Sequence, residues 1–132
     1  MEFYENGQNQ IEAWLLTLPA SERPKVKSKM NNIVDNQKQL PVFNPKVIKP
    51  LRHLEGSLLE MRFLIGKVQY RPILVRGPGA GVATILVGAK EVSWEFDPIS
   101  APATALQRKG QMAEPERVKD YDYNKRTSLR KS

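Results

Sequence analysis

Residues 57–97, SLLEMRFLIGKVQYRPILVRGPGAGVATILVGAKEVSWEFD, decide the fold. Short runs of aliphatic and aromatic residues alternate here with glycine-containing turns at residues 66–67 and 77–81. This pattern is typical of β-strands joined by tight turns. Residues 92–96 alternate apolar and polar, which indicates either a half-buried strand or the exit from the sheet. The other predicted strands are residues 58–64, 68–76 and 82–87.

Helical spacing replaces this pattern in the N-terminal part of the chain. Apolar residues within residues 8–18 fall as on one face of a helix, and Leu18-Pro19 should end that helix. Ser21 can cap a second helix, with Pro24 tolerated in its first turn. The second helix carries one apolar stripe: Val26, Met30, Ile33 and Val34. Three lysines lie mostly off this stripe and predict a solvated face or, alternatively, phosphate contacts: Lys25, Lys27 and Lys29.

These elements predict an α+β fold, in which a small antiparallel sheet of about four strands packs against two N-terminal helices. Residues 1–6 are interpreted as an edge strand, and residues 41–50, with three prolines, as an extended connector. Pro72 cannot donate to a ladder and predicts a bulge or an unpaired stretch. Trp14 and Trp94 are assigned to the core.

The C-terminal part is weakly patterned. Residues 102–110 predict a short helix, and residues 117–132 carry six Lys/Arg and two Asp. We therefore divide the chain into one domain over residues 1–110 and a basic, partly disordered tail over residues 111–132.

Charge is the strongest compositional signal. The 132 residues contain 21 Lys and Arg against 14 Asp and Glu, a net charge of +7. Such a surplus favours nucleic acid as a partner. The alternative is that the charge only keeps the protein molecules dispersed in solution.

The chain has no cysteine and one histidine, so we expect no disulfide, no thiolate chemistry, no cofactor and no metal site. It shows no membrane or signal segment, and we expect a cytoplasmic protein.

Two arginines are the main candidates for chemistry. In a hairpin that turns near residues 66–67, Arg62 lies across from Arg71. Facing like charges destabilise a sheet unless an anion lies between them, and a guanidinium grips phosphate oxygens well. Fixed cations could stabilise the transition state when the 2′-hydroxyl of RNA attacks the adjacent phosphate. The alternative is that both arginines form ordinary surface ion pairs with Glu60, Glu91 or Glu95.

Other candidates are less specific. Lys67, Arg76 and Lys90 lie on strands or turns of the same predicted sheet. Lys67 and Arg76 could contact RNA, and Lys90 is a candidate catalytic residue beside Arg62 and Arg71. His53 could act as a general acid or base, or simply be a loop histidine. Tyr121 could stack on a base, or be solvated in the tail.

The order of several short motifs resembles a known family. These are residues 49–51 (KPL), 54–62 (LEGSLLEMR), 66–71 (GKVQYR) and 82–90 (VATILVGAK), within a resemblance that covers residues 9–108. The arrangement is similar to the phage-derived branch of the RelE/HigB-like toxins of type II toxin–antitoxin modules. The resemblance implies a microbial-ribonuclease-like RelE fold and metal-independent endonucleolytic cleavage of mRNA, often in the ribosome. It also implies a cognate antitoxin, frequently of helix-turn-helix type.

The resemblance also implies roles for individual residues. Arg62 and Arg71 would contact phosphate and stabilise the transition state, Lys90 would be the basic residue that ends the third major strand, and Tyr70 would pack in the core. This chain departs from the family pattern at Pro72 and at residues 88–98, where an aromatic–basic motif and a polar stretch are replaced. Two other functions therefore stay open, a gyrase-poisoning toxin of ParE type and a non-catalytic nucleic-acid-binding module.

Overall fold

The computed structural model describes residues 1–37, 47–51, 58–77 and 82–119. Within these ranges the chain has an α+β fold of eleven strands and three helices. The strands are β1 Glu2–Glu5, β2 Gln8–Asn9, β3 Ile48–Pro50, β4 Leu59–Met61, β5 Phe63–Ile65, β6 Val68–Tyr70, β7 Ile73–Arg76, β8 Ala83–Val87, β9 Lys90–Val92, β10 Glu95–Asp97 and β11 Val118–Lys119. The helices are α1 Gln10–Leu15, α2 Arg23–Gln37 and α3 Ala101–Gln111.

The larger of two sheets has the strand order β11-β1-β8-β7-β4-β3, with β2 paired to β1. Strand β1 runs parallel to β8, whereas the other pairings are antiparallel. The prediction of about four antiparallel strands is therefore wrong, as is the prediction that residues 1–6 form an edge strand. Phe3 is fully buried, and β1 has a hydrogen-bonded neighbour on each side because β11 adds to it.

The smaller sheet has the order β10-β9-β6-β5. Each long strand predicted in residues 58–76 is divided between the two sheets. The first breaks at Arg62, between β4 and β5, and the second breaks at Arg71-Pro72, between β6 and β7. The break at Pro72 agrees with its lack of a backbone donor. One hairpin therefore contributes its base to the larger sheet and its tip to the smaller one.

The helix α2 buries its predicted apolar stripe of Val26, Met30, Ile33 and Val34. Lys25 and Lys29 are exposed, but Lys27 is buried and forms an ion pair with Glu2 of β1. Asn9 donates to the other oxygen of Glu2 at 2.8 Å and caps α1. The prediction of a solvated Lys27 is thus wrong, because an acidic strand residue lies within reach of its ammonium group.

Two cores lie on opposite faces of the larger sheet. One packs α1 and α2 against residues that include Tyr70, Leu74 and Ile85. The other packs Ala101 and Ala105 of α3 against residues that include Ile73 and Leu86.

The helix predicted over residues 102–110 is confirmed as α3. Its position means that the helices are not confined to the N-terminal part of the chain. Strand β11 extends the sheet into the region assigned to the basic tail, and residues 120–132 lie outside the described ranges.

The two tryptophans have different environments. Trp14 packs against the first core, edge-on to Tyr70 with ring centroids 6.0 Å apart. Its ring lies against the backbone at Gly88, where a Cβ atom would collide with Trp14 Cδ2 and Cε3. The prediction that Trp94 is a core residue is wrong, because its side chain is 89% exposed in the turn between β9 and β10.

The Gly88–Trp14 contact predicts the effect of one methyl group. We expect Gly88→Ala to lower the free energy of unfolding by about 2 kcal/mol, because the added methyl overpacks the core. Urea denaturation measures this change. Gly110→Ala is the matched control, since open space surrounds that exposed helical position and the change should stabilise α3 by about 0.5–1 kcal/mol. Equal stability of the two variants would contradict the close approach of Trp14.

Candidate functional site

The strand breaks bring Arg62 and Arg71 together. Phe63 pairs with Tyr70 across the β5–β6 ladder, so the residues just outside that pair face each other, as predicted. Glu60 precedes Arg62 by two positions, and it lies in β4 opposite Ile73. Alternation along the strand therefore places Glu60 and Arg62 on one side, which the sequence also predicted.

A carboxylate lies between the two arginines. Glu60 is 3% exposed, and its Oε1 accepts from Arg62 Nε at 3.0 Å and Nη2 at 2.9 Å. Its Oε2 accepts from Arg71 Nε at 2.8 Å. The anion expected between the guanidinium groups is thus provided by the protein itself. The ion-pair alternative is correct about Glu60 and Glu91 as partners, but Glu60 and Arg71 are buried, so these are not ordinary surface pairs.

Arg71 is held on several sides. Its side chain is 10% exposed, and Nη1 lies 3.4 Å from Glu91 Oε1. Its Cζ atom sits 3.9 Å above the centre of the Phe96 ring, a cation–π arrangement. The smaller sheet therefore fixes Arg71 from two of its strands, because Glu91 belongs to β9 and Phe96 to β10.

Arg62 is the accessible member of the cluster. Its side chain is 40% exposed, four times the value for Arg71. Glu60 binds it through Nε and Nη2, and a guanidinium has a third nitrogen, Nη1, as a further donor. The carboxylate sets the plane of the guanidinium while leaving part of it toward solvent. Such a group can contact an external phosphate or carboxylate oxygen.

Of the other predicted site residues, Lys90 is not brought to this cluster. It begins β9 instead of ending β8, because residues 88–89 separate these strands, so that prediction is wrong. Lys90 pairs with Tyr70 across the β6–β9 ladder and so shares its face of the sheet, opposite Arg71. Its Nζ lies 4.0 Å from Asp97 Oδ2.

The remaining candidates lie at the periphery or outside the described ranges. Lys67 is exposed at the β5–β6 turn, and Arg76 is exposed at the end of β7 in the larger sheet. His53 and Tyr121 fall outside the described residues. The sequence reasoning missed Phe96 as a partner of Arg71. Only the hairpin of β9 and β10 reveals that contact, and residues 92–96 were predicted as one strand or a loop.

Tyr70 lies directly before Arg71, but its side chain points to the other face of the sheet. It packs in the core that α1 and α2 cover, as predicted. It is fully buried and stacks on Phe63 with ring centroids 5.5 Å apart. Its hydroxyl donates to Glu22 Oε2 at 3.0 Å. Burial, followed by the hydrogen bond to Glu22 and its charge, raises the pKa of Tyr70 to about 12. The phenol therefore stays protonated at neutral pH and holds Glu22, the residue directly before α2, against the sheet.

Comparison with known proteins yields no relative. No protein-family model, no curated protein and no solved structure matches this chain. Over residues 1–37, 47–51, 58–77 and 82–119, no group of three or more His, Cys, Asp or Glu side chains is placed to hold a metal ion. In those same ranges, no helix is both long enough and apolar enough to cross a membrane.

The shared carboxylate predicts a stability effect. Glu60→Ala leaves the buried Arg71 with fewer anionic partners, and we expect the free energy of unfolding to fall by about 3 kcal/mol. Glu95→Ala is the control, because it removes an exposed glutamate of the smaller sheet and should change stability by less than about 0.5 kcal/mol. Chemical denaturation compares the two. A loss at Glu60 no larger than that at Glu95 would show that the cluster is not an energetic unit.

The Tyr70–Glu22 contact predicts a pH dependence. A folded-state pKa of about 12, above the ordinary value near 10, stabilises the protein below pH 10. This contribution is lost as pH rises toward 12, because the unfolded phenol ionises first. The stability difference between the protein and Tyr70→Phe should therefore narrow above pH 10, as urea titrations at several pH values can measure. A difference that stays constant across that range would contradict the raised pKa.

Proposed function

We propose that this chain is the toxin of a toxin–antitoxin module and that it binds and cleaves mRNA. The observation that carries the proposal is the cluster of Arg62, Arg71, Glu60 and Glu91, in which the Arg62 guanidinium is accessible while Arg71 and Glu60 are buried. Support comes from the resemblance to the RelE/HigB-like toxins and from the net charge of +7.

The reaction class follows from what these groups can do. RNA can be cleaved when its 2′-oxygen bonds to the neighbouring phosphorus and the P–O5′ bond breaks, which leaves a 2′,3′-cyclic phosphate and a 5′-hydroxyl. The 2′-hydroxyl gives its proton to water, and the departing 5′-oxygen takes one from water. The reacting atoms must be held in line and the added negative charge stabilised. In this proposal Arg62 contacts the phosphate. Glu60 and Arg71 are positioning residues, because they are buried and act through the orientation of Arg62.

The cluster also limits the chemistry. Two arginines face two glutamates, so Arg62, Arg71, Glu60 and Glu91 together carry no net charge. Attraction of RNA must come from other basic residues, among them Lys67 and Arg76. Because the cluster carries no net charge, a second candidate function stays open: a module that binds RNA without cutting it. The cognate antitoxin, a cytoplasmic location and the use of mRNA on the ribosome belong to the same proposal.

Cleavage of a defined mRNA, alone and on translating ribosomes, tests the proposal. Arg62→Ala should lower the rate of cleavage about 100-fold or more, the effect of removing one donor to a developing oxyanion. Arg62→Lys should recover only part of it, because an ammonium group cannot replace the planar fork held by Glu60. Lys29→Ala is the matched control, since it removes one exposed positive charge from α2 and should leave cleavage unchanged.

Each other result has a definite meaning. Cuts that persist in Arg62→Ala would retain the enzyme and reject this site. Growth arrest on expression without any cleavage would indicate a different target, such as DNA gyrase. Binding of RNA with neither cleavage nor growth arrest would establish the non-catalytic module.

A further inference from the structure

The hairpin of β9 and β10 has an unusual turn. Val92 pairs with Glu95, so the two residues of the turn are Ser93 and Trp94. Both have positive φ angles, 50° and 70° respectively. Turns of this kind normally contain glycine, asparagine or aspartate, since other side chains are strained there. A tryptophan in such a position is costly, and strain of this kind often marks functional sites.

The same residue is nearly free of protein contact. Trp94 is 89% exposed, the highest value among the large hydrophobic residues in the described part of the chain. Tryptophan buries more apolar area than most side chains when it packs. The structure therefore presents a large aromatic ring to solvent on a strained turn. It does so in the segment where the chain departs from the family pattern.

Strand register places a cation at the same end of the smaller sheet. Strands β6 and β9 are antiparallel and pair at Tyr70 and Lys90. The start of β6 and the end of β9 therefore lie side by side, and so do the turns that precede and follow them. The first turn contains the exposed Lys67, and the second contains Trp94.

Arg62 lies at the opposite end of the same small sheet. Three residue steps separate it from Ile65, the last residue of β5, which corresponds to about 10 Å along the strand. A single polynucleotide strand could thus extend from the accessible guanidinium to the two turns.

We propose that Trp94 is a stacking platform for an unpaired RNA base, with Lys67 contacting a phosphate of the same strand. The identity of the ligand rests on the proposed function. Exposed aromatic rings bind bases face to face in proteins that hold single strands, and nearby cations follow the backbone. Glu95 is exposed beside Trp94 and repels phosphate, so an uncharged base is the part of RNA that suits this tip.

The area that the Trp94 ring offers favours a base over a protein partner. Stable protein interfaces bury roughly 800 Å² on each side. One indole ring at a hairpin tip offers about 250 Å² at most. A base covers one ring completely.

A single-stranded 2′-O-methyl RNA of 12 nucleotides is the probe, because it cannot be cleaved and separates binding from catalysis. We expect Trp94→Ala to weaken its binding about tenfold, in the range known for loss of one base–aromatic stack. Trp94→Phe should retain most of the affinity. Ile99→Ala is the matched control, since Ile99 is 71% exposed near the same hairpin and should have no effect. The RNA should also quench tryptophan emission in the native protein but not in Trp94→Phe, where only Trp14 remains.

The outcomes separate this inference from the proposed function. Affinity that depends on Trp94 in a protein that cuts no RNA would support the stacking site and reject the nuclease. If the protein cleaves RNA and its affinity for the probe does not change in Trp94→Ala, the nuclease would be supported and the stacking site rejected. Absence of binding by the native protein would overturn the inference. So would a Trp94→Ala variant that binds RNA normally but no longer binds a protein partner.

Discussion

The buried carboxylate of Glu60 constrains the rest of the structure. A carboxylate at 3% exposure is unfavourable unless positive groups and hydrogen bonds replace the water that it loses. Arg62 and Arg71 supply both, and each lies at a break between a strand of the larger sheet and a strand of the smaller one. The junction of the two sheets therefore lies at the point where three charged side chains converge. Removing any one of them would leave the others poorly compensated in a region of low polarity.

This convergence determines how the sheets meet. Pro72 lacks a backbone donor but still accepts a hydrogen bond from Met61 at 3.1 Å, so the strands stay in contact across the break. On one side of the junction the chain continues into the larger sheet, which is covered by helices on both faces. On the other side it continues into the smaller sheet, whose hairpin tips project into solvent. One hairpin thus connects a sheet covered by helices to a sheet whose turns are exposed.

The sequence predicted what depends on local pattern. The apolar stripe of α2, the helix near residues 102–110 and the facing of Arg62 and Arg71 all follow from residue spacing. The internal position of β1 could not be predicted, because its partner β8 lies some eighty positions away and alternation does not encode strand order. The division into two sheets was hidden for a similar reason: Pro72 indicated an interruption of one strand, but nothing local showed that the two halves of each strand join different sheets. Buried Lys27 and exposed Trp94 contradict the usual preference of each residue type, so a pattern could not reveal them.

The charge distribution bears on how such a site could act. The Arg62 cluster is electrically balanced, whereas the whole chain carries a net charge of +7. Four of its basic residues and two of its acidic ones lie in residues 120–132, and the exposed Lys67 and Arg76 lie outside the cluster. Under the proposed function, long-range attraction of a polyanion and short-range contact with one phosphate would fall to different parts of the chain. A balanced cluster binds an anion weakly by charge alone, but it holds a guanidinium in one orientation, and orientation is what a reaction with a narrow geometry requires.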